Sequence, residues 1–125
     1  MKGNLRIRAG SVVMTAELND SPSGRGILAA LPLKAVARTW GKEIWFPIPV
    51  AGELGPNAVE LVQVGDLAYW PTGRAFCIFF GPTPMSQGDE IRPASAVNLV
   101  GRVLGDAKAF KSVRDGDPVE LEAEP

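Results

Sequence analysis

Two features of the composition limit the chemistry that this chain could perform: it has no histidine, and Cys77 is its single cysteine. Without imidazole, the chain lacks a histidine-dependent nucleophile, a histidine acid or base, and any metal site that requires histidine. A single cysteine excludes an intrachain disulfide, a Cys-x-x-Cys redox pair and an iron–sulfur cluster within one chain. No base neighbours Cys77 in the sequence, and an apolar setting raises the pKa of a thiol, so we interpret it as a passive apolar residue.

The carboxylates are not spaced for catalysis or metal binding. Asp89 and Glu90 are adjacent, and adjacent side chains of a strand point to opposite faces, which makes them a poor acid/base pair. Glu120, Glu122 and Glu124 alternate with apolar residues and predict the wet face of an edge strand rather than a cation site. The sequence therefore predicts neither a metal ion nor another cofactor.

Two arginines and one tryptophan are candidates for a binding site. Arg92 lies in a proline-rich loop and Arg74 begins a strand, so either could present a cation to a ligand. The alternative for both is a surface or loop-bracing role. Trp70, beside Pro71 at a predicted turn, is expected to be partly exposed, where it could hold a proline ring or a sugar. We interpret the other large aromatics mainly as core residues: Trp40, Trp45 and Tyr69.

The composition indicates what kind of domain must position these residues. The chain has 125 residues, 46% hydrophobic and 22% charged, which is typical of one globular domain. Its 14 glycines and 11 prolines favour strands and turns over a helical bundle. A net charge of −1 and the lack of a long apolar segment predict neither a nucleic-acid partner nor a membrane partner. A single cysteine favours a reducing compartment, and we predict a cytoplasmic location.

Turn residues divide the chain into short predicted elements. Strands are expected over residues 5–18 with a break at Gly10, then over 33–40, 43–47, about 58–63, 67–70, 74–80 and 96–104, and finally over a segment with Val119, Leu121 and Ala123. Gly41-Lys42 predicts a type II′ hairpin turn. Ser21-Pro22 and Asp106 predict the starts of two helices, the first ending at Pro32 and the second near Val113. Residues 81–95 form a loop long enough to suggest a functional role.

Alternation along the strand at 74–80 assigns its two faces. One face carries large apolar residues that we expect in the core: Phe76, Ile78 and Phe80. The other face would line a groove and carries Ala75, Cys77 and Phe79. Short strands with few helices are accommodated most simply by a closed antiparallel barrel. We therefore predict a mainly β, single domain over residues 1–125, a closed eight-stranded barrel capped by two short helices.

Two segments carry a resemblance to a known family. Residues 64–84 include Tyr-Trp-Pro followed by Phe-Phe-Gly-Pro-Thr, and residues 90–103 begin with Glu-Ile-Arg-Pro-Ala-Ser. In order and length, nearly the whole chain resembles the small bacterial and archaeal family of cyclophilin-like proteins of unassigned function. The resemblance implies an eight-stranded barrel capped by two helices, which agrees with the predicted elements. It implies no known activity.

The resemblance to true cyclophilins, which isomerise X–Pro bonds, fails at their catalytic side chains. That reaction must overcome a barrier of roughly 18–20 kcal/mol, which a cationic donor and an apolar proline slot lower. In the matched motifs, Phe46 replaces the arginine and Ala75 replaces the glutamine. Cys77 replaces the phenylalanine of the proline slot, and Val97 replaces the histidine. The resemblance thus implies a retained scaffold without the matched chemistry.

We therefore predict a groove-binding module for a proline-containing peptide or a small ligand, without efficient isomerase activity. The residues predicted to line the groove are Trp70, Cys77, Phe79, Arg92 and Arg74, and no catalytic residue is predicted. Two alternatives stay open, so whether the protein is an enzyme is undecided by its sequence. One is a peptidyl-prolyl isomerase in which Arg92 or Arg74 supplies the missing cation. The other is a structural protein that self-associates into a homo-oligomer.

Overall fold

The structure, a computed structural model that describes residues 3–124, is built mainly from antiparallel strands. Among these residues there are nine strands: β1 Gly3–Ala9, β2 Val12–Leu18, β3 Leu33–Val36, β4 Arg38–Thr39, β5 Glu43–Pro47, β6 Asp66–Trp70, β7 Ala75–Phe79, β8 Asn98–Val103 and β9 Pro118–Ala123. The helices are short: α1 Pro22–Ala30 and two 3₁₀ helices, Pro71–Gly73 and Ala107–Ser112. The mainly β prediction is confirmed.

The predicted strand 5–18 is a hairpin rather than one extended segment. Gly10 adopts a φ of +57°, a conformation that glycine reaches at little cost, and the chain reverses there. β1 and β2 then pair along their whole length, from Gly3 with Leu18 to Ala9 with Val12.

One short stretch of chain supplies both edges of the sheet. The strand order is β3-β9-β1-β2-β8-β6-β7-β5-β4, and only Ala37 separates β3 from β4. The sheet is therefore nearly closed into a barrel, as predicted, but the predicted strand 33–40 is divided in two. The prediction that the glutamate-rich last strand is an edge was wrong, because β9 lies between β1 and β3.

The two predicted helix starts are present. Ser21 caps α1, its Oγ accepting a hydrogen bond from the Gly24 N–H at 3.1 Å. Asp106 caps the second helical segment, its Oδ1 accepting from the Lys108 N–H at 3.0 Å, but that segment is 3₁₀ rather than α-helical. Both helical segments pack on the barrel interior through buried apolar side chains, including Ile27 and Phe110. Of residues 3–124, no helix is long and apolar enough to cross a membrane.

The strands β5, β6 and β7 bury side chains on both of their faces. The face inside the barrel belongs to the inner core, which includes Leu5, Ile7, Ile44, Phe46, Leu67, Phe76, Ile78, Phe80 and Val100. The opposite face belongs to a separate outer cluster of Val62, Ala68, Ala75, Cys77, Phe79, Ile91 and Val97. The predicted alternation along β7 is therefore confirmed, with Phe76 inside and Cys77 outside.

A loop at residues 81–97, the cover loop, lies against the outer cluster. The predicted strand 58–63 was wrong: only two isolated bridges form there, Val59 with Val97 and Val62 with Ile91. If a regular antiparallel register continued from the Val59–Val97 bridge, Val62 would pair with residue 94. It pairs instead with Ile91, three residues earlier in the chain. The cover loop thus carries three extra residues between the bridges, and they interrupt the ladder.

Candidate functional site

A cavity of about 280 Å³ opens on the outer cluster, between the strands and the cover loop. Its lining residues are Trp40, Glu43, Trp45, Trp70, Cys77, Pro93, Ala94 and Val97. The chain has 3 tryptophans, and every one of them lines this space, which we call the tryptophan cavity. Its volume is near the lower end of the range for small-molecule pockets.

Strand alternation directs the floor of the tryptophan cavity to the outside of the barrel. On β5, Ile44 and Phe46 belong to the inner core, so Glu43 and Trp45 project from the opposite face. Trp45 is paired in register with Cys77 on β7. The cavity therefore rests on paired strands of the barrel wall rather than on a loop alone.

The β4–β5 hairpin places the third tryptophan and is tied to the cover loop. Across its two-residue turn, the Trp40 N–H donates to the Glu43 carbonyl oxygen at 2.9 Å. Gly41 begins this turn with a φ of +59°, as the glycine-first hairpin prediction requires. The Lys42 N–H donates to the carbonyl oxygen of Pro82 at 3.0 Å, and this hydrogen bond connects the turn to the start of the cover loop.

Two tryptophan rings form adjoining walls of the cavity. The rings of Trp45 and Trp70 meet at 85°, with their centroids 6.1 Å apart. The Trp70 Nε1–H donates to Ser95 Oγ at 2.7 Å, which links this wall to the cover loop. The ring also lies close over Gly73, where a Cβ atom would come within 2.7 Å of it. Glycine at this position therefore lets the indole lie flat against the turn.

A buried carboxyl group lies among the tryptophans. Glu43 has only 6% of its surface exposed, and none of the ion pairs within residues 3–124 involves it. The pKa of Glu43 is raised from 4.5 to about 7. Burial is the cause, and a hydrogen bond from the Cys77 thiol offsets a smaller part of the rise. Burial also raises the pKa of Cys77 well above its ordinary value, and the Glu43 carboxylate raises it further, so Cys77 is a neutral thiol at neutral pH.

Hydrogen bonds within the cover loop hold its first half closed. Thr83 Oγ1 donates to the Arg92 carbonyl oxygen and accepts from the Met85 N–H at 3.2 Å. Ser86 Oγ accepts from the N–H groups of Thr83 and Arg92, at 2.9 and 3.0 Å. Thr83 itself is 6% exposed, and the four bonds are partly buried. The loop that covers the outer cluster is thus internally cross-linked.

Two of the predicted binding residues, Cys77 and Phe79, lie in the outer cluster, and a third, Trp70, packs against it. Trp70 and Cys77 are brought together in the lining of the tryptophan cavity, although β6 and β7 are separated by a turn in the chain. Phe79 is fully buried in the outer cluster and does not contribute to the cavity wall.

The two arginines predicted for the groove lie elsewhere among the described residues. Arg92 Nε donates to Glu90 Oε2 at 2.9 Å, and its NH1 lies 3.8 Å from Glu60 Oε1. This is a loop-bracing arrangement on carboxylates. Arg74 adopts a left-handed φ of +48° after the first 3₁₀ helix, is exposed, and is not among the residues that line the cavity.

Sequence reasoning missed the residues that distinguish this site. Trp40 and Trp45 were interpreted as core residues, but both are only partly buried and neither belongs to the inner core. Glu43 was not singled out, although it stands beside Cys77 in space. A signal for it exists in the sequence Glu-Ile-Trp-Phe-Pro, because Glu43 and Trp45 share the face opposite to two core residues.

Comparison with known proteins identifies the scaffold. The family described as cyclophilin-like matches residues 3–122. The chain belongs to the cyclophilin-like family. The solution structure of the hypothetical protein AF2241 from Archaeoglobus fulgidus is similar to this cyclophilin-like chain, with 43% sequence identity and a TM-score of 0.83. The similarity covers 98% of this chain and 95% of the archaeal one. No curated protein matches the chain.

The matched motif positions fall on different faces of this cyclophilin-like barrel. Phe46, matched to the arginine of true cyclophilins, is fully buried in the inner core and stacks on Phe76 with centroids 5.5 Å apart. Ala75, Cys77 and Val97 all lie in the outer cluster. The side chain that projects outward from this part of β5 is that of Trp45, one residue before the matched position.

The tryptophan cavity offers few side chains that could take part in chemistry. Its polar side chains are one buried carboxyl group and one thiol, and the rest of its lining is aromatic or aliphatic. Within residues 3–124, no three side chains of cysteine, aspartate or glutamate come together to hold a metal ion. Glu43 could exchange a proton near neutral pH, because its pKa is about 7.

Proposed function

We propose that this cyclophilin-like protein is a binding module that accepts a small ligand, or one side group of an extended peptide, in the tryptophan cavity, without efficient prolyl isomerisation. The observation that carries the proposal is that every tryptophan of the chain lines one open space of about 280 Å³. Tryptophans that served the core alone would be expected in the inner core, where none of them lies.

Tryptophans around an open space are suited to binding for a physical reason. A large apolar ring that remains partly exposed gains free energy when a ligand covers it, and such rings dominate binding energies at anchor positions. Trp45 and Trp70 are also held by β5, β6 and the bond to Ser95, so little conformational freedom is lost on binding. In this proposal the protein binds its ligand in the cytoplasm.

The arginine-dependent isomerase receives no support from the geometry. Of its two candidate cations, Arg92 is paired with Glu90 and Glu60, and Arg74 has an exposed side chain. Neither arginine is among the described residues that line the cavity. A donor that is to stabilise a twisted amide must point at the ligand. Self-association is the remaining alternative, and the elution volume of the same sample tests it.

The experiment uses the indole N–H signals in a nitrogen-15 NMR spectrum, because all three tryptophans report on the same cavity. A panel of X–Pro peptides and small aromatic, aliphatic and charged compounds is titrated, and cis/trans exchange is recorded for the peptides. We expect at least one compound to shift the indole signals while proline exchange stays unchanged. Trp70→Ala should weaken that compound's binding about tenfold to a hundredfold.

The matched control is Leu61→Ala, an exposed apolar side chain outside the cavity, which should leave binding unchanged. If no compound shifts the indole signals, the binding proposal is wrong. Faster proline exchange that disappears in Arg92→Ala would establish the isomerase instead. Elution as a dimer that protects the indoles in the free protein would favour self-association.

A further inference from the structure

The tryptophan cavity contains an acid without a basic partner. Glu43 is 6% exposed, lines the cavity and forms no ion pair with any residue between 3 and 124. Its neighbour is the neutral thiol of Cys77, a weak hydrogen-bond donor. Buried carboxylates are normally paired, because removal from water strongly disfavours the charged form. A cation that entered the cavity would supply the missing partner.

The walls of the cavity favour the same kind of ligand. The faces of tryptophan rings carry negative electrostatic potential and attract cations, most strongly where water is excluded. The rings of Trp45 and Trp70 meet at 85° and so form a corner in the lining that Glu43 shares, and Trp40 adds a third aromatic side chain. Trp45 already attracts one cation, since the guanidinium carbon of Arg38 lies 5.3 Å from its ring centroid in an adjoining cleft.

We propose that the ligand of the tryptophan cavity carries a compact organic cation, an alkylammonium group, and that the Glu43 carboxylate is its counter-ion. This inference rests on the proposed binding function and names the class of ligand for that site. An anion would meet the acid without any basic residue of the described lining to offset it. A hard metal ion would require several oxygen ligands, and the lining offers one carboxyl group.

Binding of such a cation should depend on pH through Glu43. Among the described residues, Cys77 on β7 is the only other titratable group of the cavity lining, and it donates a hydrogen bond to Glu43. The remaining lining residues are uncharged: the three tryptophans, and Pro93, Ala94 and Val97 of the cover loop. Burial holds the pKa of Glu43 at about 7, so a cation must displace its proton at lower pH. Affinity should therefore rise with pH up to about 7 and level off above it, by as much as tenfold per pH unit on the rising part.

Two charged residues lie near the cavity but do not neutralise Glu43. Lys42 is the next residue on the hairpin turn, and its aliphatic stem packs over Gly81 in the cover loop. Arg38 lies over Trp45 and lines the adjoining cleft rather than the tryptophan cavity. Neither affects the pKa of Glu43, which burial raises and the hydrogen bond from the Cys77 thiol lowers by a smaller amount.

The test compares choline with 3,3-dimethylbutan-1-ol, its neutral isostere, by titration of the indole N–H signals. The full chain is used at about pH 8 and about pH 6, on either side of the pKa of Glu43. We expect choline to bind at least tenfold more tightly than the alcohol at the higher pH, with most of this preference lost at the lower pH. A peptide with one trimethyllysine, and its neutral isostere, distinguish a peptide source of the cation from a free amine.

Glu43→Gln is the matched variant, because it keeps the shape and removes the charge. It should abolish both the preference for choline and the pH dependence, and an unchanged backbone spectrum would show that the fold persists. Equal or tighter binding of the alcohol, or a preference for choline that survives Glu43→Gln, would overturn the cation inference and leave the binding function standing. If neither cation binds while another compound of the general panel does, the cation inference alone is wrong. Failure of every compound would reject both.

Discussion

The inner core and the outer cluster are formed by opposite faces of the same strands, but they differ in what they bury. The inner core is a closed apolar cluster in which Phe46 and Phe76 stack at an interplanar angle of 19°. The outer cluster is bounded by a cover loop instead of a second sheet, and partly buried tryptophans pack against it beside an open cavity. One face of β5–β7 thus builds the barrel, and the other is available for a site.

The distribution of buried polar groups follows the same division. Among the described residues, the buried polar or charged side chains are Glu43, Asp66 and Thr83, and none of them belongs to the inner core. Asp66 Oδ2 accepts from the Gln63 N–H at 2.8 Å, and Thr83 cross-links the cover loop, so both have structural partners. Glu43 has only a thiol beside it. A buried acid without such a partner costs stability, and the proposed role of Glu43 as a counter-ion starts from this observation.

The largest expected effect is a difference in stability between substitutions at two adjacent residues of β7, one on each face of the strand. Phe76→Ala removes a fully buried ring from the inner core and should lower the free energy of unfolding by about 3–5 kcal/mol. Cys77→Ala removes a single sulfur atom from the outer cluster and should cost about 1 kcal/mol. Urea unfolding of both variants measures the difference. Equal losses would contradict this prediction, since one sulfur atom of the outer cluster would then contribute as much stability as a whole ring of the inner core.

The second prediction concerns the pH dependence of stability. Because the pKa of Glu43 is about 7 in the folded protein and near 4.5 when unfolded, the folded state alone holds this proton between those pH values. The free energy of unfolding should therefore fall as pH rises from 4.5 to about 7, and then level off. Glu43→Gln removes this loss, so it should stabilise the protein by about 3 kcal/mol at about pH 8 and by little near pH 4.

Urea unfolding of the wild type and Glu43→Gln across this pH range provides the measurement, and the difference between the two curves isolates Glu43 from other acids. Glu90→Gln is a suitable control, because the Glu90 carboxyl is partly exposed on the cover loop and its pKa is lowered by Arg92 rather than raised by burial. A parallel pair of curves for the wild type and Glu43→Gln would show that this carboxyl is ionised and solvated in the folded protein.

The sequence predicted the inner face of the fold better than the outer face. Alternation correctly assigned Phe76 and Ile78 to the core, and the capping residues Ser21 and Asp106 marked both helical segments. These features depend on neighbours along one strand or one helical turn. The last strand was misassigned as an edge because its pairing with β3 depends on a distant segment of the chain.

The candidate site was predicted in part for the same reason. Trp70 and Cys77 could be proposed from the turn and from strand parity. Glu43 could not be connected with Cys77, because their proximity depends on the register between β5 and β7, which are separated by β6 in the chain. The cover loop was expected to be functional from its length, but the hydrogen bonds of Thr83 and Ser86 that close it cannot be inferred from residue types alone.

The smallest effect should come from opening the cover loop without disturbing the barrel. Thr83→Val keeps the side-chain volume but removes the hydroxyl that donates to the Arg92 carbonyl oxygen and accepts from the Met85 N–H. We expect a loss of about 1–2 kcal/mol, and Thr83→Ser, which keeps the hydroxyl, should lose less. Amide hydrogen exchange should accelerate at Met85 while amides of β1 and β2 stay protected, because the loop can open without unfolding the inner core. Faster exchange in β1 and β2 to the same degree would mean that the cover loop and the barrel unfold together, and the distinction between a structural face and a functional face would then not extend to their dynamics.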